Sequence, residues 1–337
     1  MRDIRKVWDG DVTIVITKVF IGVLFSPKRS IEKLIRCVRS IENQIEKPFD
    51  FDIKIIVNTN DSSVTREVEY TFKEQNITHE IIETISNGTV GRGVNSVFDI
   101  FLERKSEGYS HVIKIDYDDM YYPYAFKLLD SIFKDYQIDH LNLCHLGDNL
   151  IRVPHDLSQL QSPLPILEIF PGVALRSPFN YRLQDRQMYQ IYAHHIYWNG
   201  EYCPGGEITL IESLKAIETM RELEYKCLEI PNIPEDYFYL LQVIIEHQKG
   251  NLIFANTDCN EIYCYDMTGA QSATRGEDVN TLDVTKWKEE VQNMLIDPKF
   301  ETLRNVRRID LPLVSFPYTL CDEVKKKEFI LENFIGE

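Results

Sequence analysis

Clustered positive charge is what this chain most plainly lacks. Its 53 acidic residues outnumber 37 basic ones, the formal charge is −16, and no stretch gathers lysine and arginine into a stripe. Nucleic-acid backbones are bound through such clusters, so no nucleic-acid partner is expected. Paired cysteines are missing as well: the seven present include no C-x-x-C. Cys259 and Cys264 are neighbours without a second ligand pair, which speaks against zinc and fits reduced thiols in a cytosol-like compartment. Long apolar runs are short here. The longest, Val12 to Phe25, is broken by Lys18 and cannot span a bilayer. It follows the acidic Asp9-Gly-Asp11, unlike a secretory signal. A soluble, cytoplasmic protein is expected, at most resting on a membrane surface. Internal repeats and low-complexity tracts are absent.

What is present is a globular composition, 44% apolar and 27% charged over 337 residues, enough for one large domain or two ordinary ones. The first half alternates regularly. Val19–Phe25 reads as a strand, and Ser30 as the cap of a helix whose Ile31, Leu34, Ile35, Val38, Ile41 and Ile45 form one apolar stripe. Ile53–Val57 is a second strand ending in the polar Asn58-Thr-Asn-Asp61. A helix over Ser63–Gln75 and a strand at Glu80–Glu83 follow. The glycine-rich Asn87–Gly93 reads as a loop feeding a helix that places Val94, Val97, Phe98, Phe101 and Leu102 on one face. This alternation implies a mostly parallel sheet with right-handed crossovers.

The chain is organised around His111-Val-Ile-Lys-Ile-Asp-Tyr-Asp-Asp-Met-Tyr-Tyr-Pro123. A buried strand there stops in three carboxylates, Asp116, Asp118 and Asp119. Alternation along a strand can put Asp116 and Asp118 on one side. Two carboxylates that close repel unless a cation or a proton intervenes. Oxygen-only ligands suit Mg²⁺ or Mn²⁺, which complete their shells with phosphate oxygens and water. Strand carboxyl ends in open α/β sheets are also where ligands bind. The pattern therefore points to a divalent-metal site for a diphosphate. The plain alternative is an acidic, solvated turn before a helix starting near Tyr124.

The second half is less regular. Asp139–Cys144 and Gly172–Arg176 resemble strands, with a proline-punctuated loop over 154–165 between them. Pro204-Gly-Gly206 marks a turn before a helix expected over Ile208–Leu223. Pro234-Glu-Asp-Tyr237 opens another helix, running to about His247. Leu252–Phe254 and Ile262–Cys264 read as late strands, and the segment around Trp287–Met294 as part of a helical extension.

In this order the features resemble glycosyltransferase family 2, on the GT-A fold for nucleotide-diphospho-sugars. The helix phrase Leu34–Gln44, the strand Ile55–Val57 with its polar tail, the loop Gly88–Asn95, the D-x-D phrase Ile115-Asp-Tyr-Asp-Asp119 and the later Glu235-Asp236 pair carry the resemblance, over residues 19–265. Two positions depart from it. Asn58 stands where the family commonly has Asp, and Ser26-Pro27 where a polar or aromatic pair ending in Asn is usual.

The resemblance implies a single mostly parallel mixed sheet flanked by helices over residues 1–279, with a nucleotide-sugar half (about 19–123), an acceptor half (about 124–279) and a C-terminal helical extension (280–337). It implies a metal-dependent, inverting transfer from a nucleotide sugar, UDP-linked, to an acceptor hydroxyl of unspecified kind. Asp116 and Asp118 would hold Mn²⁺ or Mg²⁺, Asp119 would orient its neighbour, Asp236 would be the general base and Glu235 would sit beside it. Phe25, Ser26, Arg29, Asn58, Asn60, Asp61, Arg92, Asn95, Asp116 and Tyr117 would line the donor. His195, Trp198, Gly205 and Gly206 fall where the acceptor pocket is expected; His194 beside them is assigned no metal role. As a phosphate cradle the 88–93 loop matches neither the Walker pattern nor G-x-G-x-x-G. Two competitors remain open: a nucleotidyltransferase, for which Ser26-Pro-Lys-Arg29 lacks the glycines, and an inactive sugar- or nucleotide-binding domain.

Overall fold

A computed structural model describes residues 16–27, 29–143, 150–151, 166–170, 173–176, 195–198, 201–204, 208–229, 237–257, 259, 261–266 and 313–314. The first half runs β1 (Lys18–Phe25), α1 (Ile31–Glu42), β2 (Asp50–Thr59), α2 (Ser62–Glu74), β3 (Glu80–Ile85), α3 (Val90–Glu103) and β4 (His111–Asp116). It continues with β5 (Met120–Tyr121), α4 (Ala125–Asp135), β6 (His140–Leu143) and β7 (Leu150–Ile151). The strands β8 (Ile166–Phe170), β9 (Val173–Arg176), β10 (His195–Trp198) and β11 (Glu201–Pro204) follow. The chain then makes β12 (Ile208–Ser213), α5 (Leu214–Glu222), α6 (Tyr237–Lys249), β13 (Phe254–Thr257), β14 (Tyr263–Asp266) and β15 (Leu313–Val314).

Eight strands form one sheet in the order β15-β13-β6-β12-β4-β1-β2-β3. Every pairing is parallel except the two made by β12, which runs against β4 on one side and β6 on the other. The protein is thus an α/β fold with a mostly parallel sheet, as expected. β8–β11 form a separate antiparallel sheet, and β5, β14 and β7 a small third one.

Alternation along the central strands explains why the sheet is covered on both faces. Val19, Ile21, Val23 and Phe25 of β1, with Ile113 and Ile115 of β4, meet α1, α2 and α4 in one core. Phe20 and Leu24, with Val112 and Ile56, meet α3, α5 and α6 in the other. Gly22 lies on this second face, where a Cβ would stand 2.4 Å from Val97 Cγ1 of α3. Only a residue without a side chain lets α3 come down this close to β1.

Several expectations are corrected. Residues 208–213 are a strand rather than the first half of a helix; the helix begins only at Leu214, where the Ser213 side chain accepts from the Ala216 amide. Ile208, Thr209 and Ile211 favour the strand, and a short apolar run does not separate the two periods. The 87–93 segment is mostly not a loop. Thr89 caps α3 by accepting from the Arg92 amide at 3.2 Å, so Gly91, Arg92 and Gly93 lie in the helix's first turn. Gly93 is there because Leu24 packs against it, 3.0 Å from where a Cβ would be. Strand ends shift as well: β2 runs on through Asn58 and Thr59, and β13 starts at Phe254. Leu313 and Val314, within the segment read as a helical extension, pair with β13 as an edge strand. The helix expected near Trp287–Met294 lies outside the described residues.

The close approach at Gly22 makes a prediction. Gly22→Ala should cost about 1–3 kcal/mol in denaturant unfolding, and Gly22→Ala with Val97→Ala should cost less than the two single changes summed. A second prediction concerns acid. Burial lowers the His111 imidazole to about 4 from 6.5. Between those values the unfolded chain binds a proton that the folded one refuses, so stability falls as pH drops from 6.5 towards 4, by up to about 3 kcal/mol. His111→Gln should flatten that limb, as read from unfolding midpoints across the range.

Candidate active site

The order of the sheet strands reverses between β1 and β4, from which the chain moves outwards to β2 and β3 on one side and to later strands on the other. At such a switch point, the crevice beyond the carboxyl ends of the strands is left open by the helices that leave it in opposite directions. β1, β2, β3 and β4 are parallel, so the residues following Phe25, Thr59, Ile85 and Asp116 share this edge. Nearly all the donor-side residues named above lie along it.

The acidic turn is at its centre. The Tyr117 amide donates to Leu24 O at 3.1 Å, carrying the β1–β4 ladder one residue further. The Asp119 amide then donates back to Asp116 O at 3.1 Å and closes a tight turn. Asp116 is half-buried, with Oδ2 2.8 Å from Lys114 Nζ. Lys114 is two residues earlier on the same side of the strand, as alternation requires. Asp118 is half-buried, while Asp119 is 2% exposed and accepts from the Tyr263 hydroxyl on β14 at 2.5 Å. The Tyr117 ring packs edge-on against Phe25 at 5.5 Å, with the Arg29 guanidinium 5.8 Å above it. Burial, and then the Asp118 charge, push the Tyr117 hydroxyl up from its ordinary value.

The carboxylates concentrate negative charge. Beneath them the Cys37 thiol is pushed well up by burial first and then by Asp119, Asp118 and Asp116. The Tyr263 hydroxyl is raised by burial and then by Asp119 and Asp116. Among the described residues no group of three or more His, Cys, Asp or Glu side chains forms a cage for a metal ion. What the turn offers is two half-buried carboxylates, Asp116 and Asp118, with the third engaged by Tyr263. That donor set fits a hard divalent cation that takes its remaining ligands from phosphate oxygens and water.

The flanking residues are tied into the fold. The Asn58 amide nitrogen donates to Thr84 Oγ1 at 2.9 Å and Ile85 O at 3.3 Å, holding the ends of β2 and β3 together. Asn60 donates to Ser86 O at 2.7 Å. Asp61 caps α2 by accepting from the Ser63 amide at 2.9 Å, and its carboxyl is held below the usual range by Ser63. Arg92 Nε donates to Ile85 O at 3.2 Å, and its Nη1 stands 3.8 Å from Glu229. Asn95 is fully buried; its amide donates to Cys227 O (2.8 Å) and Glu229 Oε1 (3.0 Å) and accepts from the Cys227 amide (3.0 Å). Asn87 also donates to Glu229, at 2.9 Å. Residues 87, 92 and 95 thus converge on the segment 227–229. Ser26 is half-buried just past β1.

Glu235, Asp236, Gly205 and Gly206 lie outside the described residues, as does His194. His195 and Trp198 are on β10, in the separate four-stranded sheet. Reading the sequence missed Lys114, Tyr263 and Glu229. Alternation back from Asp116 points to Lys114, whereas nothing local marks Tyr263, 144 residues from its partner.

The sequence matches no protein-family model and no curated relative. Solved structures similar to it include S. aureus TarS residues 1–349, 12% identical over 74% of this chain and 60% of that one, with a TM-score of 0.41. The same fragment in complex with UDP-GlcNAc is 11% identical over 85% and 72% of the two chains, with a TM-score of 0.42. The chain spans less than half of the longer TarS structure, 44%, at 10% identity and a TM-score of 0.43. Likeness at this level says nothing of activity.

The Asp119–Tyr263 contact gives a prediction. Tyr263→Phe removes the donor from a buried carboxylate and should destabilise by about 1.5–3 kcal/mol at neutral pH. Denaturant unfolding at pH 7 reads the loss, and an unchanged midpoint would contradict it.

Proposed function

We propose that this chain is a glycosyltransferase of the GT-A kind, similar to family 2, moving a sugar from a UDP-linked donor to an acceptor hydroxyl. The observation that carries the reading is the position of the acidic turn: Asp116 and Asp118 stand at the carboxyl end of β4, next to β1, where the strand order reverses. An ordinary solvated turn has no need of a buried Asp119 with a tyrosine hydroxyl on it, nor of backbone bonds to a neighbouring strand. The strand order, with β12 alone reversed, is in keeping with a nucleotide-sugar-binding sheet.

In this reading Asp116 and Asp118 hold a divalent cation against the donor diphosphate. When bound, the cation acts as a Lewis acid that draws charge from the departing diphosphate. The chain's own residues supply the rest. Lys114 fixes the orientation of Asp116 through their 2.8 Å contact. Tyr263 holds Asp119, so that this carboxylate braces the turn. Phe25, Tyr117 and Arg29 wall one side of the crevice, while Asn58, Asn60, Asp61, Arg92 and Asn95 fix the ends of β2 and β3 and the start of α3 around the nucleotide. Asp236 takes the proton from the acceptor hydroxyl, with Glu235 beside it. With one carboxylate base and no nucleophile in the scheme, displacement is direct and the anomeric configuration inverts. His195, Trp198, Gly205 and Gly206 belong to the acceptor side.

A thermal-shift screen of nucleotide sugars, with Mn²⁺ and with EDTA, tests the reading. One UDP-sugar should raise the unfolding midpoint in Mn²⁺ and not in EDTA, and Asp118→Asn should abolish the shift. Equal stabilisation in EDTA, or none with any nucleotide sugar, contradicts it. Once an acceptor is found, Asp236→Asn should lower kcat by about 10²–10⁴-fold; full activity would remove the base assignment.

A further inference from the structure

The backbone of the acidic turn is held from below, by one helix. Residues 36, 37, 40 and 44 of α1 and its C-terminal end fall on a single stripe, being spaced by about one turn. Arg36 Nη2 donates to Asp118 O at 3.2 Å, and the Cys37 thiol lies 3.6 Å from Asp116 O. Ser40 Oγ accepts from the Tyr121 amide at 3.1 Å. Gln44 uses both ends of its amide: Nε2 donates to Tyr122 O at 2.8 Å, and Oε1 accepts from the Phe126 amide at 3.1 Å. Ser40 and Gln44 are buried, 7% and 4% exposed. The neighbouring Leu34, Val38 and Ile41 serve the apolar core, so this stripe is a polar line along a helix that otherwise buries hydrocarbon. Each of these bonds goes to main chain of the segment 116–126, and none of them uses a carboxylate oxygen of Asp116 or Asp118.

We propose that Arg36 is a positioning residue for Asp118, and that with Ser40 and Gln44 it forms a polar rack on α1 that fixes the spacing of the Asp116 and Asp118 carboxylates before any ligand arrives. The proposal deepens the reading of the turn as a cation and diphosphate site and rests on it. The physical need is plain. Carboxylates in one turn repel, and a turn free to splay would move them apart in the absence of a cation. Bonds to carbonyl and amide groups hold the main chain without competing for carboxylate oxygens, and the Arg36 charge opposes the carboxylates at Cys37 beneath the turn.

Two measurements on the full chain separate this proposal from the function it serves. The first is amide hydrogen exchange without ligand. Arg36→Met and Ser40→Ala should speed exchange at Asp119 and Tyr121 by about tenfold, the size of one lost hydrogen bond, leaving α2 and β3 unchanged. Unchanged exchange at both amides overturns the rack, whatever the protein binds. The second is UDP affinity by calorimetry, in Mn²⁺ and in EDTA. Arg36→Met should reduce the Mn²⁺-dependent gain by about 10–100-fold, as loss of an outer partner of a metal ligand does, with affinity in EDTA unchanged. Arg36→Lys, which keeps one donor for Asp118 O, should recover most of it. An undiminished gain in Arg36→Met, or equal losses in Mn²⁺ and EDTA, overturns the positioning role. A wild-type chain with no gain from Mn²⁺ would instead contradict the proposed function, and exchange alone would then decide whether the rack exists.

Discussion

Three carboxylates within four residues repel one another, and much of this structure is arranged to hold them together. Asp116 has Lys114 at 2.8 Å, Asp119 has the Tyr263 hydroxyl, and the backbone of Asp118 has Arg36. These partners come from β4 itself, from β14 and from α1, three separate pieces of chain. Their combined effect is a turn of defined shape in which three carboxylates are held close together. Burial raises the Cys37 thiol and the Tyr121 and Tyr263 hydroxyls around it, and the Asp119 charge adds to the rise in each.

The sheet places the turn at the carboxyl edge of its parallel strands. Parallel β1, β2, β3 and β4 deliver their carboxyl ends to one edge, and the strand order reverses there between β1 and β4, the position at which open α/β sheets generally bind ligands. Both faces are sealed by apolar cores, so the open edge is where polar residues collect. The close packing of α3 on Gly22 and of Gly93 on Leu24 brings the α3 N-terminus to the same edge. There Asn87, Arg92 and Asn95 meet Glu229, which joins the start of α3 to the segment that precedes Glu235 and Asp236 in sequence.

Much of this was legible in the sequence, for physical reasons. The apolar runs of β1 and β4 read as strands, and the 3.6-residue stripe of α1 was plain in Leu34, Val38 and Ile41. The halt of an apolar strand at Asp116 marked the acidic turn at the end of β4. Elsewhere local pattern was not enough. Ile208–Ser213 carries apolar residues that suit a helix or a strand equally, and only pairing between β4 and β6 makes it a strand. Gly91 and Gly93 suggested a loop because glycine disfavours helices, but Leu24 needs the space beside Gly93. Asn58, which departs from the Asp common in the resembling family, ties β2 to β3 through its amide nitrogen, a contact the sequence did not announce. Tyr263 and the two-ended role of Gln44 depend on contacts across 144 and about 80 residues, which no local spacing announces.

The central claim is that one divalent cation binds at the end of β4 and joins the chain to a nucleoside diphosphate. Crystals grown with Mn²⁺ and UDP, with anomalous data collected at the manganese edge, test it most directly. The account predicts a single strong anomalous peak bonded to an Asp118 carboxylate oxygen, with diphosphate oxygens completing its shell. A peak elsewhere, or UDP bound along the β1–β4 edge with no metal at Asp116 or Asp118, would contradict it.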